Sequence, residues 1–298
     1  MKRREFVSGG CAALALATWT RRGFGQEGSE RIAARPIPST GELLPIVGYG
    51  QSPSFRENDV GNSARLLDVM RELGGAFVDT GESAQQTIGD YLQQNAAVDQ
   101  FFLGTNLTPR DAKADLESVE TAKRLQGKDE LDLLQLFRPA SIGEAWSRLK
   151  QYKEAGHTRY IGLAGTGREY LDVVRGLLAN DKPDFIQINY SVLEPETGSD
   201  VIPAAQDKGV AVVTNRPFVN GQYFPLVVDK ELPAWAAEFD CHSWAQFSIK
   251  WILGNPGVNC VLAETTKAHH ALDNLSAGLG RLPDEAMRRR MQDYIRAL

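Results

Sequence analysis

The sequence predicts an α/β fold, a (β/α)8 TIM barrel, and three observations carry that expectation. Eight short apolar, β-rich runs punctuate residues 44–264. Helical stretches separate them, which is the pattern of a parallel sheet with crossover helices. Eight such units within roughly 250 residues match the size of one barrel rather than two domains.

The runs fall at 44–50, 76–80, 100–106, 131–137, 159–165, 184–190, 210–215 and 258–264. Between them, residues 61–74, 111–126, 142–155, 168–179 and 243–254 read as helices; in the first, Leu66, Leu67, Met70 and Leu73 cover one face. The end of the chain, DEAMRRRMQDYIRAL, reads as a solvated helix with carboxylates in its first turn. A doubly wound open sheet is the runner-up. It lacks support because GYGQSP holds only two glycines where a dinucleotide-binding sheet needs Gly-x-Gly-x-x-Gly.

With 298 residues, 42% hydrophobic and 24% charged, the chain is neither disordered nor fibrous. Its 33 basic and 38 acidic residues give a net charge of −5, and no dense basic run follows position 25. An electrostatic grip on nucleic acid is therefore not expected, and a small-molecule partner is.

Residues 1–25 open with Lys2, Arg3 and Arg4, continue through Phe6 and Val7, and then carry a mild apolar run from Gly9 to Trp19. That run is about half the ~20 residues of a spanning helix, so a removable export signal is expected and a permanent membrane span is not. Paired arginines before x-Phe-Val resemble the twin-arginine signal, which implies a periplasmic or otherwise exported protein. Cleavage could follow Ala17 or Gly25. Removing residues 1–25 would leave 28 basic against 37 acidic residues, a charge of −9. Residues 26–40 then read as a linker and 41–298 as the barrel. Cys11 would leave with the signal, and Cys241 and Cys260 are expected as buried free thiols, with a disulfide as the alternative.

Barrel active sites gather where strands end at their carboxyl side. The candidates are therefore Tyr49, Asp79, Asn106, Phe137, Ala164, Gln187 with Asn189 and Tyr190, Asn215 with Arg216, and Glu264. His157, His269 and His270 show no metal-ligand spacing, so no metal is expected. Trp146, Trp235, Trp244 and Trp251 are expected in packing rather than against a ligand.

Several motifs then point to one family. FVDT at 77–80, LDLLQLFRP at 131–139, GHTRYIGLAG at 156–165, FIQINYS at 185–191, SWAQFSIKWILGNPGVNCVLAETTKAHHALDN at 243–274 and GRLPDE at 280–285 together resemble the aldo-keto reductases, over roughly residues 40–295. The resemblance implies a metal-free barrel that reduces aldehydes and ketones with NADPH. Its chemistry would use a tyrosine as proton donor, a lysine and aspartate that tune it, and a histidine that orients the carbonyl. Such a donor meets the negative charge that hydride attack builds on oxygen.

Residue by residue, the aspartate matches Asp79, but the tyrosine position holds Ala84, the lysine position Asn106 and the histidine position Phe137. Asp79 is left to cap the following helix, to accept from Asn106, or to take a new chemical role. On the cofactor side the resemblance assigns Gln187 to the nicotinamide, Asn274 to the adenine, and Thr265, Thr266 and Lys267 to the 2′-phosphate, with Arg216 beside them. NADP is the cofactor it implies. Glu264, however, stands where the family has a glycine, and Ala164-Gly165 replaces a Ser-Asn pair.

The expected protein is an exported family member, a pseudoenzyme for standard NADPH-dependent reduction because its tetrad is mostly lost. Two alternatives stay open. One is an active NAD(P)-dependent oxidoreductase that uses Tyr49 or Tyr190 as substitute donors; the other is a different enzyme that works through Asp79 and Glu82. Nothing in the sequence sets an oligomeric state.

Overall fold

A computed structural model describes residues 31–139 and 141–298. The proposed signal lies outside the described residues. A short antiparallel hairpin comes first, β1 (Ala34–Pro36) paired with β2 (Leu43–Pro45). Eight parallel strands follow: β3 (Val47–Tyr49), β4 (Phe77–Thr80), β5 (Phe102–Leu107), β6 (Leu131–Phe137), β7 (Thr158–Ala164), β8 (Phe185–Asn189), β9 (Ala211–Asn215) and β10 (Cys260–Ala263). They form a closed barrel in chain order, with β10 returning to pair with β3. The eight expected strands are all present.

Helices α1 (Pro53–Arg56), α2 (Val60–Glu72), α3 (Gln85–Gln94), α4 (Ala112–Gln126), α5 (Gly143–Glu154), α6 (Arg168–Asn180), α7 (Val201–Lys208), α8 (Phe224–Val227), α9 (Trp244–Leu253), α10 (Ala268–Ser276) and α11 (Glu285–Arg296) connect and surround the strands. Side chains supply the missing backbone partners at several helix starts. Asp111 accepts from the N–H groups of Lys113 and Ala114, and Asp284 from that of Met287. Gly127 ends α4 with φ of 70°, a left-handed residue that glycine adopts without strain.

The run at 44–50 is not one strand, and the segment read as a linker is structured from residue 31 onward. The hairpin covers the N-terminal end of the barrel, and its Ile37 and Leu44 join an inner cluster with Phe77, Phe102, Tyr160 and Phe185. The Phe102 ring lies 5.3 Å from Phe77 and 5.8 Å from Phe185. Arg35 ties the hairpin to the end of α9, donating to the carbonyl of Leu253 at 2.6 Å and of Asn255 at 3.1 Å. The hairpin thereby plugs the inside of the barrel at that end.

Strand alternation separates the two cores. Phe77, Phe102, Leu133, Phe185, Val213 and Leu262 point inward, whereas Val78, Leu103, Leu134, Ile186 and Val261 face the helices. Cys241 and Cys260 are buried free thiols. Trp146 and Trp251 are buried, and Trp235 and Trp244 pack on Phe247 and Tyr294. Among the described residues, no helix is long and apolar enough to cross a membrane.

Gly89 shows how tightly the outer layer is drawn. A Cβ there would lie 1.9 Å from the carbonyl oxygen of Leu125, so α3 and α4 touch through backbone. Gly89→Ala should destabilise the fold by about 3 kcal/mol, the cost of forcing an atom into a packed contact. Gly176→Ala, on an exposed stretch of α6 with nothing within 4 Å of the new atom, should stabilise by about 1 kcal/mol instead. Urea unfolding of both variants checks the pair of signs.

Candidate functional site

Alternation carries inward-facing residues up each strand to the open mouth. On β4 the inward set ends with Asp79; on β5 it ends with Asn106; on β6 it includes Gln135 and Phe137; and on β8 it includes Gln187. Four of these close a ring. Asp79 Oδ1 accepts from Asn106 Nδ2 at 2.9 Å, and Asp79 Oδ2 accepts from Gln187 Nε2 at 3.2 Å. Gln135 Nε2 completes the circuit, donating to Asn106 Oδ1 at 3.3 Å and to Gln187 Oε1 at 3.2 Å. Gln135 Oε1 is buried without a partner.

The ring contains one ionisable group and no cation. Burial pushes the Asp79 carboxyl up from 3.8 to about 7, against the hydrogen bonds from Gln187, Gln51 and Asn106; Glu264 adds to the rise. Gly81 makes room for this arrangement, because a Cβ there would sit 2.4 Å from Gln51 Oε1. Asp79 therefore accepts from Asn106, the second of the roles its sequence position allows.

Above the ring lies a cleft of about 290 Å³, whose walls include Gln51, Arg56, Phe137, Arg138, Arg216 and Glu264. Arg216 and Glu264 also border a second space of about 410 Å³, with Phe218, Phe224, Thr265 and Thr266. Phe224, Glu264 and Thr265 continue into a third of about 360 Å³ that reaches His270 and Asn274. The three form one groove from the mouth to the start of α10. Glu264 lines every part of it. Its carboxyl is pushed above the ordinary value by burial, which Arg56 and the Gln51 N–H oppose.

The residues expected at the site divide clearly. Asp79, Phe137, Gln187 and Arg216 meet at the mouth, with Asn106 just beneath. Thr265, Thr266 and Asn274 lie along the groove. Lys267 is exposed at the start of α10 and is not in the groove wall. Ala84 is wholly buried at the start of α3.

Three expectations need correction. Tyr49 lies on the outward face of β3, fully buried, its ring 6.1 Å from Phe55, and its hydroxyl has no partner. Burial alone drives its acidity down, raising its pKa beyond the normal phenol range. Tyr190 is also turned away: its hydroxyl is held by Arg288 at 2.6 Å and Asn255 at 3.3 Å, beside Trp251. Glu82 is exposed and faces Arg110 at 3.6 Å. None of the three borders the cleft. The second carboxyl of the mouth is Glu264, far from Asp79 in sequence but on β10's extension, two strands away around the barrel.

Sequence reasoning missed Gln135, Arg56 and Arg138. Period-two alternation from Leu133 would have found Gln135. Arg56 ends the four-residue α1 and Arg138 sits on the bend after β6, and neither carries a periodic signal. Among the described residues, the cleft wall beside Asp79 holds no tyrosine, lysine or histidine, and no three His, Cys, Asp or Glu side chains are grouped to hold a metal.

Comparison with known proteins agrees with the barrel. L-galactose dehydrogenase of Arabidopsis thaliana is 22% identical over 295 residues, 83% of this chain and 88% of its own length. The holo form of an aldo-keto reductase from Bacillus halodurans superposes with a TM-score of 0.73 at 20% identity, over 88% of this chain and 96% of that one. An aldo/keto reductase from Klebsiella pneumoniae in complex with NADP and acetate gives 0.69 at 17% identity, over 86% and 93%. The structural likeness at these identities is one of fold. The sequence pattern of the aldo/keto reductase family matches residues 47–292, nearly the whole barrel, and the chain belongs to that family.

Proposed function

We propose that this is an exported family member that binds a small ligand in its barrel mouth and does not reduce carbonyls with NADPH through the family's tetrad. One observation carries the reading: Asp79 faces the Asn106 amide at 2.9 Å, where that chemistry needs an ammonium. Reduction also needs a proton donor within hydrogen-bond reach of the forming alkoxide. The cleft wall offers no phenol or imidazole, because Ala84 and Phe137 occupy those positions and both tyrosines considered as substitutes are turned away.

A dinucleotide fits the groove in course, with Arg56, Arg138 and Arg216 at the mouth and Glu264 as the group that opposes its phosphates. Gln187 and Asn274, matched by resemblance to its two ends, stand at opposite ends of the groove. Gln187, however, is engaged on both its polar atoms within the ring. Glu264 lines the whole path, and a carboxylate about 4 Å from a phosphate oxygen opposes it by roughly 1 kcal/mol in water and more in a cleft. Lys267 is too far out on the rim to border it. NADP is thus held weakly or not at all in this reading.

Export rests on the first 25 residues. Fused to a reporter that functions only outside the cytoplasm, residues 1–40 should deliver it, and replacing both Arg3 and Arg4 by lysine should stop delivery.

Two further outcomes follow at the mouth. Fluorescence titration of the mature protein with NADPH should stay flat to about 10 µM, and Glu264→Gly should strengthen binding by about tenfold or more. Saturation in the unaltered protein overturns the reading.

Asp79 should also write a pH dependence into stability. Between 3.8 and about 7 the folded chain keeps a proton that the unfolded chain has lost. Its contribution is therefore full below about pH 4 and falls as pH rises through about 7. Three pKa units correspond to about 4 kcal/mol at most. Asp79→Asn should remove that slope and be the more stable form at about pH 8, read from urea midpoints across the range. Gln187 can rotate its amide to accept from the new NH2 group, at the cost of its present acceptor contact with Gln135 Nε2.

A further inference from the structure

We propose that the far end of the groove, beside the start of α10, binds a small organic cation of the quaternary-ammonium class, seated among Phe218, Phe224 and Trp244 with the carboxylates of Glu264 and Asp273 in the same wall. This inference rests on the reading that no dinucleotide fills the groove, and it concerns a stretch of the groove away from the mouth.

The space there, about 360 Å³, falls in the range of small-molecule sites. Three aromatic side chains and two carboxyl groups border it, and among the described residues no lysine or arginine does. His270, also in the wall, is held below its ordinary value by burial, by His269 and by Lys267, so it is uncharged at neutral pH. Lys267 itself stands exposed outside the wall. Arg216, the basic residue of the adjoining space, already meets Glu194 at 3.5 Å. The end of the groove that the family resemblance gives to the adenine is thus acidic and aromatic.

Neutral donors hold both carboxyl groups in place. Asp273 Oδ2 accepts from Ser243 Oγ at 2.7 Å and its Oδ1 from Gln246 Nε2 at 2.7 Å. Ser243 also caps α9, accepting from the Gln246 N–H at 3.0 Å, so Asp273 is tied to the first turn of that helix. Glu264 accepts from the Gln51 N–H, and Arg56 acts on it only at longer range. Among the described residues, neither carboxyl group forms an ion pair. The rings are equally fixed. Phe224, 39% exposed although wholly apolar, lies 4.9 Å from Phe218 and is tilted by 44°. Trp244 stacks on Tyr294 at 6.2 Å, and its indole N–H donates to the Lys230 carbonyl at 2.9 Å.

Charge decides the class of ligand. An anion is opposed by both carboxylates, and a neutral apolar molecule covers the rings but leaves both charges unanswered. A metal ion needs oxygen or nitrogen ligands grouped around one point, and among the described residues no such group of three is present. A methylated ammonium spreads its charge over an apolar surface, so it satisfies ring faces and carboxylates together. The net charge of the chain, −5, adds a field of the same sign.

Calorimetric titration of the mature protein with choline at constant ionic strength tests this, with neohexyl alcohol, its uncharged carbon analogue, as the control. Choline should saturate with a Kd below about 1 mM and bind about tenfold or more tightly than the alcohol. Phe224→Leu keeps an apolar side chain at an exposed position but removes the ring, and should weaken choline by about fivefold. Glu264→Gln keeps the shape and removes the charge, and should also weaken it by about fivefold. Both variants should keep the thermal midpoint within about 2 °C of the unaltered protein. The inference is overturned if choline gives no saturable heat up to about 10 mM, if the alcohol binds as tightly, or if either variant binds choline as the unaltered protein does. Absence of choline binding together with a flat NADPH titration sinks the cation alone. Saturable NADPH binding sinks the reading of an unfilled groove, and this inference with it.

Discussion

A carboxyl group inside the barrel with no cation beside it is the constraint on which the mouth depends. Taking a lone carboxylate out of water is costly, and an ammonium at hydrogen-bond distance is the usual remedy. Here three amides take that place. Asn106 donates to it at 2.9 Å and brings no charge. The consequence is a proton on Asp79 that is balanced near neutrality rather than expelled. The amides below inherit their orientation from it: Asn106 and Gln187 turn their NH2 groups to the carboxylate, their oxygens then face Gln135, and Gln135 must give up both its hydrogens. The one carboxyl thus sets the orientation of three amides.

How much of this the chain disclosed beforehand can be argued strand by strand. All eight barrel strands were legible, because each is a short apolar run bounded by turns, and the buried parallel strand is the clearest such signal. The hairpin was not, since three-residue strands beside prolines have too little length to show a period. At the site, Asp79, Asn106, Phe137 and Gln187 were legible as strand ends. Tyr49 and Tyr190 were misjudged for lack of one further step. Strand alternation places Tyr49 on the face of Val47 and turns it toward Phe55 in the helix layer. Glu82 is the solvated loop charge that such a position usually holds; Glu264 reaches Asp79 only because β10 closes the barrel against β3. Closure is a property of the fold and not of any local window.

Backbone strain gathers at the same end of the barrel. Arg138, Arg216, Val219 and Asn220 all hold positive φ, at 45°, 55°, 48° and 53°. For β-branched Val219 that is a rare conformation, and each such residue costs of order 1–3 kcal/mol unless its surroundings compel it. The compulsion is visible. The Arg216 carbonyl accepts from Val219 N–H at 3.0 Å, Phe218 accepts from Gly221 and Tyr223, and Ser248 Oγ donates to the Pro217 carbonyl at 2.6 Å. The turn that results puts Arg216 and Asn220 into the wall of the cleft.

Strain, unpaired buried polar atoms and a carboxyl raised by burial meet at one end of the barrel. A barrel with no use for its open end is stabilised by closing it with apolar side chains, as the hairpin and the aromatic cluster close the opposite end of this one. Instead the mouth keeps three arginines, two carboxyl groups and a ring of amides, in an arrangement that costs free energy while it stands alone. Burying polar groups without partners is offset when a ligand brings the partners with it.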